Sequence, residues 1–256
     1  MRTHQSLTEI NSQFELKENE RIDDLQISGL GIIQEPGRFC FGMDAVLLSG
    51  FVTVNKGERV LDLCTGTGII PLLLYAKTEA GHITGVEIQP GSANMAERSV
   101  SGNGLSDKID ILTADLKNIH ESLGRSTFEV VTCNPPYMAG NSGIKNPHEP
   151  KAIARHEILC TFEDVVREAA ACLVPNGRFY LVHRPARLPE LFETLRKYRL
   201  EPKRMRLVYP YIDREPNMVL IEAVMNANPM LKVLKPLIVF KEDGSYTREM
   251  VEDYKY

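Results

Sequence analysis

No stretch of this 256-residue chain is apolar for long enough to cross a bilayer. The longest uninterrupted run, Ile69–Ala76 with Pro71 inside it, falls well short of the roughly 20 residues that a spanning helix needs. The first residues, MRTHQSLTEINSQFELKENE, lack the apolar core of a secretory signal, so a cytoplasmic protein is expected. Cysteine is sparse and unpaired: Cys40, Cys64, Cys133, Cys160 and Cys172 are odd in number and share no metal-ligand spacing. That pattern excludes a disulfide framework and a zinc knuckle, and it predicts reduced thiols without a metal. Internal repeats and low-complexity tracts are also missing. With 43% hydrophobic and 25% charged residues, the chain has the composition of a soluble globular protein. Its length suits one large domain or one domain with appendages.

Charge of either sign is modest overall, at a net −4, but it is unevenly spread. Between Arg178 and Arg206 stand nine Lys or Arg against three Glu, a local +6 that leaves −10 for the remainder. Such a stretch is either a solvated helix face or the footprint of an anionic ligand.

Up to about residue 35 the chain is polar, apart from RIDDLQIS and LGIIQ, split by Gly29 and Gly31; this predicts a small hairpin-like lead-in. MDAVLLSGFVTV has helical spacing, with Asp44 placed to cap its start. From residue 59 a regular alternation follows. The expected strands are RVLDLC, HITGVEI, KIDILTAD, FEVVTCN, GRFYLVH, KRMRLVYP and NMVLIEAVM. Between them fall the helices GIIPLLLYAKT, PGSANMAERSVSGN, FEDVVREAAACLV (ending at Pro175–Gly177) and LPELFETLRKY. Alternation of this kind implies an α/β fold with a mostly parallel, doubly wound sheet. The last two strands have no helix between them, so at least one should be antiparallel. The tail reads as a polar extension ending in a short helix. Three parts are expected: a lead-in over 1–56, the main domain over 57–226, and an extension over 227–256 packed on it.

LDLCTGTG (61–68) sets Asp62 at a strand end and lets Gly66 and Gly68 open the next helix. Glycines there allow a ligand close to the backbone at the crevice beyond the strand ends. The spacing continues to Pro71 where a dinucleotide fingerprint needs a third glycine, and the acid precedes the loop, so a neutral nucleoside fits better than a pyrophosphate. Glu87, ending the second strand, can accept both hydroxyls of a ribose; Asp115, ending the third, can meet an adenine amino group. Singly, each acid reads as well as a helix cap or a surface charge. In series with the glycine loop they read together as a nucleoside cofactor site.

Asn134–Pro135–Pro136–Tyr137 ends the fourth strand at the same crevice. An amine conjugated to a purine is a poor nucleophile because its lone pair is delocalised. The Asn134 side-chain oxygen and the Pro135 carbonyl can accept its two N–H bonds and turn the lone pair out of conjugation. The prolines hold these acceptors rigid, and Tyr137 offers a face for an extruded base. The competing reading is a strand-ending turn with a core tyrosine.

This series resembles the amino-methyltransferases of the class I fold, and over nearly the whole chain it is similar to the bacterial valine-tRNA adenine-N6-methyltransferases, which modify the adenine next to the anticodon (position 37). GRFCFGMDAVLLSGF, NPHEPKAIARHEI, HRPARLPEL and GSYTREMVEDYKY share in the resemblance. It implies a Rossmann-like sheet of seven strands, S-adenosylmethionine as cofactor, and the anticodon stem-loop of tRNA as partner, with no obligate protein partner. It also implies that the segment around Arg38, Phe39 and Asp44 closes over the cofactor's methionine end. Asp62, Cys64, Thr65, Gly66, Gly68, Glu87, Ile88, Asp115, Leu116 and Asn134 would then line the cofactor, and Asn134 to Tyr137 would carry catalysis. Cys64 stands where many members of the fold have the first loop glycine, and it should fit if its φ is negative. Lys151, Arg155 and His156, in a loop bordering the base, and Arg184 and Arg187, in the basic stretch, are the expected tRNA contacts. Methylation of a glutamine amide in a translation release factor is the alternative, since that nitrogen is also delocalised. A DNA-adenine methyltransferase and a non-catalytic RNA-binding module fit less well.

Overall fold

The structure, a computed structural model, describes residues 13–37, 40–135, 160–252 and 254. Two short antiparallel strands, β1 (Arg21–Asp24) and β2 (Gly31–Gln34), form the expected hairpin. Helix α1 (Met43–Phe51) follows, and then the alternation: β3 (Arg59–Leu63), α2 (Ile69–Lys77), β4 (His82–Glu87), α3 (Pro90–Gly102), β5 (Ile109–Thr113), α4 (Ile119–Leu123) and β6 (Phe128–Cys133). The chain continues with α5 (Phe162–Cys172), β7 (Leu173–His183), α6 (Leu188–Lys197), β8 (Leu200–Tyr209) and β9 (Met218–Met225). Two two-residue strands, β10 (Lys232–Val233) and β11 (Leu237–Ile238), precede the last helix, α7 (Arg248–Glu252).

The main sheet runs β5-β4-β3-β6-β7-β9-β8, with β9 antiparallel to both its neighbours, as the missing helix before it implies. β10 and β11 add parallel pairings along the outer edge of β8, so the sheet holds nine strands where seven long ones were expected. Two-residue strands carry no periodicity, and periodicity is the signal by which strands are read. β3 and β6 are apolar without alternation because helices cover both faces of a parallel sheet. Val60, Val130, Tyr180 and Leu220 enter one core layer with α1, α2 and α3, whereas Leu61, Val131, Phe179 and Ile221 enter the other with α5 and α6.

Three local expectations differ from the structure. Asp44 is not the cap of α1: Gly42 holds that place without a side-chain cap, and Asp44 lies in the first turn, where its Oδ1 accepts from Ala45 N at 3.0 Å. A carboxylate there still complements the positive end of the helix. Helix α5 begins with a Thr161–Asp164 capping box and stops at Cys172, before Pro175. Leu173 is already extended and pairs with Phe128, so joining the sheet wins over another helical residue. The tail is less polar in effect than in composition, since Leu237, Val239, Met250 and Tyr254 are all buried in the first core layer. Lys77 Nζ holds the Tyr254 carbonyl at 2.9 Å, and the Tyr254 ring lies against Gly50, where a larger residue would collide. At the other end of the chain, Phe14 packs with Ile33 and Met95, and Arg98 pairs with the nearly buried Glu20 at 2.6 Å, fastening the lead-in to α3. Among the described residues no helix is long and apolar enough to cross a membrane.

Candidate active site

Because β3, β4, β5, β6 and β7 run parallel, their C-terminal ends share one edge of the sheet. That edge gathers Asp62, Thr65, Gly66, Gly68, Glu87, Ile88, Asp115, Leu116, Asn134 and Pro135, all singled out from sequence. Asp62 sits directly between Gly85 of β4 and Thr132 of β6 in register. It is fully buried, and its Oδ1 accepts from the Thr132 hydroxyl at 2.6 Å. Burial pushes its carboxyl up to about 7, partly offset by the hydroxyls of Thr132 and Thr65 and reinforced by the charge of Glu87. Thr65 stands near enough to act on the charge without completing a hydrogen bond. Asp62 Oδ2 and Thr65 Oγ1 are thus both buried without a partner among the described residues. Leaving such groups unmatched is costly, and a polar ligand arriving at this edge would relieve the cost.

The glycine loop turns at Thr65–Gly68, where Gly68 N donates to Thr65 O at 3.0 Å. Gly68 has φ 86°, and a Cβ there would press on Ala96 of α3, so the position needs glycine for both conformation and contact. Gly66, at φ 60°, faces open space, and its N–H donates to Glu87 Oε2 at 2.9 Å. The other Glu87 oxygen accepts from Gln89 N at 2.9 Å. Glu87 is thereby fixed at the end of β4, with burial raising its pKa against these two N–H groups. Cys64 departs from its expected backbone: φ is +58°, in the left-handed region where a side chain is strained. Its thiol meets those of Cys133 and Cys160 at the edge of the second core layer, contacts that a glycine would not make.

Asn134 follows β6 directly, and its Oδ1 is buried with no hydrogen-bond partner among the described residues. Pro135 behind it is buried. Asp115 is different, being about half exposed, accepting from Lys117 N at 2.9 Å and pairing with the Lys117 ammonium at 3.7 Å. It shares the edge, because Thr113 pairs with Glu87, but it stands at the rim. Leu116 next to it is buried in the second core layer. Arg38, Phe39, Pro136, Tyr137, Lys151, Arg155 and His156 lie outside the described residues.

The basic stretch is largely neutralised in the fold. Arg178 pairs with Glu58, Arg187 with Glu190, Arg196 with Glu201, Lys197 with Glu163, Arg204 with Glu222 and Arg206 with Glu249. The carboxylates that balance it are mostly distant in sequence, which is why counting charges along the chain overstated it. Arg184 follows the end of β7 at the site edge, and its Nη1 donates to the Asn217 carbonyl at 2.9 Å. Next to it, His183 is buried edge-on to Phe162, and burial plus the charges of Arg187 and Arg184 lower its pKa to about 4.

Two participants escaped the sequence reading. Thr132 is one, legible only once its register opposite Asp62 is known. Gln34 is the other. Fully buried at the end of β2, it donates from Nε2 to Thr67 Oγ1 at 2.6 Å and to Ile33 O at 3.0 Å. Its Oε1 accepts from Phe41 N at 3.2 Å, so one amide ties the lead-in, the glycine loop and the segment before α1. The signal was a lone amide closing the apolar run LGII.

Residues 30–199 match the family model of the methyltransferase small domain. A protein of Porphyromonas gingivalis called tRNA1(Val) (adenine(37)-N6)-methyltransferase is 28% identical over 221 residues, covering 82% of this chain and 85% of its own. One of the same name from Parabacteroides distasonis is 27% identical over 191 residues, covering 75% and 78%. Among solved structures, a predicted O-methyltransferase from Agrobacterium tumefaciens superposes with a TM-score of 0.68 at 24% identity, covering 83% of this chain and 96% of that one. That likeness shows the fold. A glycine loop, a strand-end glutamate and an asparagine with its side-chain oxygen buried share one edge, and in a chain that the family model matches over most of its length they mark this protein as a member of the methyltransferase small domain family.

Proposed function

We propose that this chain transfers a methyl group from S-adenosylmethionine to the N6 amino group of an adenine in tRNA, at position 37 of valine tRNA. The observation that carries the reading is the buried, unpartnered Asn134 Oδ1 at the end of β6, on the edge that also presents Glu87 and the glycine loop. A native fold retains such an atom at a cost, and a site that must grip an N–H is a reason for it. The residues present fit the cofactor. Gly66 leaves open space for a nucleoside, Glu87 retains lone pairs for a ribose diol, and Asp62 Oδ2 and Thr65 Oγ1 are free to receive polar groups. Asp115 at the rim would meet the adenine. When bound, the cofactor supplies an electrophilic methyl group.

The protein's part in the chemistry is positioning. Asn134 Oδ1 and the Pro135 carbonyl accept the two N–H bonds of the target amine and direct its lone pair out of the ring plane. Tyr137 would stack on the extruded base. No general base is required while two fixed acceptors hold the amine, and the proton passes to solvent after transfer. The names of the relatives support tRNA adenine over a protein amide, and Arg184 at the site edge suits a phosphate backbone.

Asn134→Ala tests the role of the amide. It should lower turnover roughly a hundredfold or more while cofactor affinity, measured by calorimetry, stays near wild type. Unchanged turnover would remove Asn134 from the mechanism.

A further inference from the structure

Three aromatic rings stand on the reaction edge with no part in the scheme above. β8 is parallel to β6 and β7, because β9 is antiparallel to β7 and β8 alike, and β11 is parallel to β8. The chain therefore leaves β8 toward Tyr211, and β11 toward Phe240, at the same edge as Asn134. Val239 N donates to Tyr209 O and Phe240 N to Pro210 O, both at 2.9 Å, drawing the two exits together. Phe240 bridges to Tyr246 across a tight turn closed by Lys241 N and Ser245 O at 2.8 Å. The result is a row: Tyr211 and Phe240 have ring centres 5.4 Å apart at 33°, and Phe240 and Tyr246 are 5.1 Å apart at 26°. All three rings are partly buried: Phe240 and Tyr246 pack against the first core layer, Tyr211 is the outer ring of the row, and Ile212 beside it is 69% exposed. Arg184, through the Asn217 carbonyl, holds the β8–β9 loop against the end of β7.

We propose that the Tyr211–Phe240–Tyr246 row is a stacking platform for an unpaired base of the RNA, one that neighbours the target adenine in the loop. The proposal rests on the reading of the site as a tRNA methyltransferase. β8 lies three strand spacings from β6, about 14 Å at about 4.8 Å each, a span that a short unpaired stretch of RNA covers. The rings brace one another, so little freedom is lost when a base stacks on them. In the flanking turns Asp213, Glu215, Glu242 and Asp243 outnumber Arg214 and Lys241, a balance that disfavours phosphate contact there and leaves the ring face as the point of attachment. Phosphate contacts would then lie elsewhere along the edge, toward Arg184.

The test is steady-state methylation of tRNA by the full-length chain carrying Tyr211→Ala, Tyr211→Leu or Tyr211→Trp. The Ala and Leu variants should raise KM for tRNA about tenfold, and Trp should restore it, as expected for one base–aromatic contact. Turnover at saturating tRNA, KM for S-adenosylmethionine and the salt dependence of binding should stay unchanged, which also shows that the variants fold. If wild type methylates tRNA and the Ala and Leu variants keep its KM, the platform is overturned. Rescue by Leu would overturn it too, because bulk and not a ring face would then suffice. Failure of wild type to methylate tRNA at all would overturn the site reading together with the platform.

Discussion

Asp62 is held where water cannot reach it, between two strands and beside a second carboxylate, and its behaviour with pH follows. Burial raises its folded pKa to about 7 from an ordinary value of 3.8. A carboxyl of this kind binds more protons folded than unfolded between those two values. Its contribution to stability is therefore most favourable below about pH 4 and is lost as pH rises toward 7, on the order of a few kcal/mol in total. Thermal unfolding of the cofactor-free protein should show this decline, and Asp62→Asn, which keeps the Thr132 contact, should flatten it. A wild-type profile no steeper than that of the variant would mean that Asp62 is hydrated in solution. Cys64 is strained for a different reason. Its left-handed φ invites glycine, yet its thiol contacts Cys133 and Cys160, so packing offsets part of the backbone cost.

At the scale of elements, the C-terminal segment packs into the core of the main domain. Met250 is fully buried in the layer that α1 and α2 share, and Tyr254 closes over Gly50. Met250→Ala should cost about 2–5 kcal/mol in denaturant unfolding. A cost below about 1 kcal/mol would mean that the segment does not pack on the core as the structure has it. This is also where the sequence was least legible. The seven long strands and four of the helices between them announced themselves through buried apolar runs and turn residues, and the strand-end acids came with them, whereas the five-residue α4 was too short to show a period. By contrast, the tail presents isolated apolar residues among charges, without a period to betray its packing. Asp44 misled because an acid near a helix start looks like a cap, whereas the cap position itself falls on Gly42. The roles of Gln34 and Thr132 depend on which elements meet in three dimensions, and spacing along the chain does not encode that.

Seen whole, the molecule separates its charges by task. The basic stretch after β7 looked like a phosphate footprint, but carboxylates from across the fold pair with most of it, and Arg184 stands at the working edge bound to the Asn217 carbonyl. That edge carries, in order across the sheet, the acids and glycines proposed to hold the cofactor's nucleoside, the buried Asn134 Oδ1 and the aromatic row. Its polarity is concentrated where strands end, while both faces of the sheet are given over to packing, an arrangement that open α/β sheets share. The central claim, methyl transfer to an adenine amine of tRNA, is tested most directly by incubating the protein with isotopically labelled S-adenosylmethionine and total tRNA, then digesting the RNA to nucleosides. Label should appear as N6-methyladenosine, at position 37 of valine tRNA. Label on protein glutamine with none in that nucleoside would contradict the account.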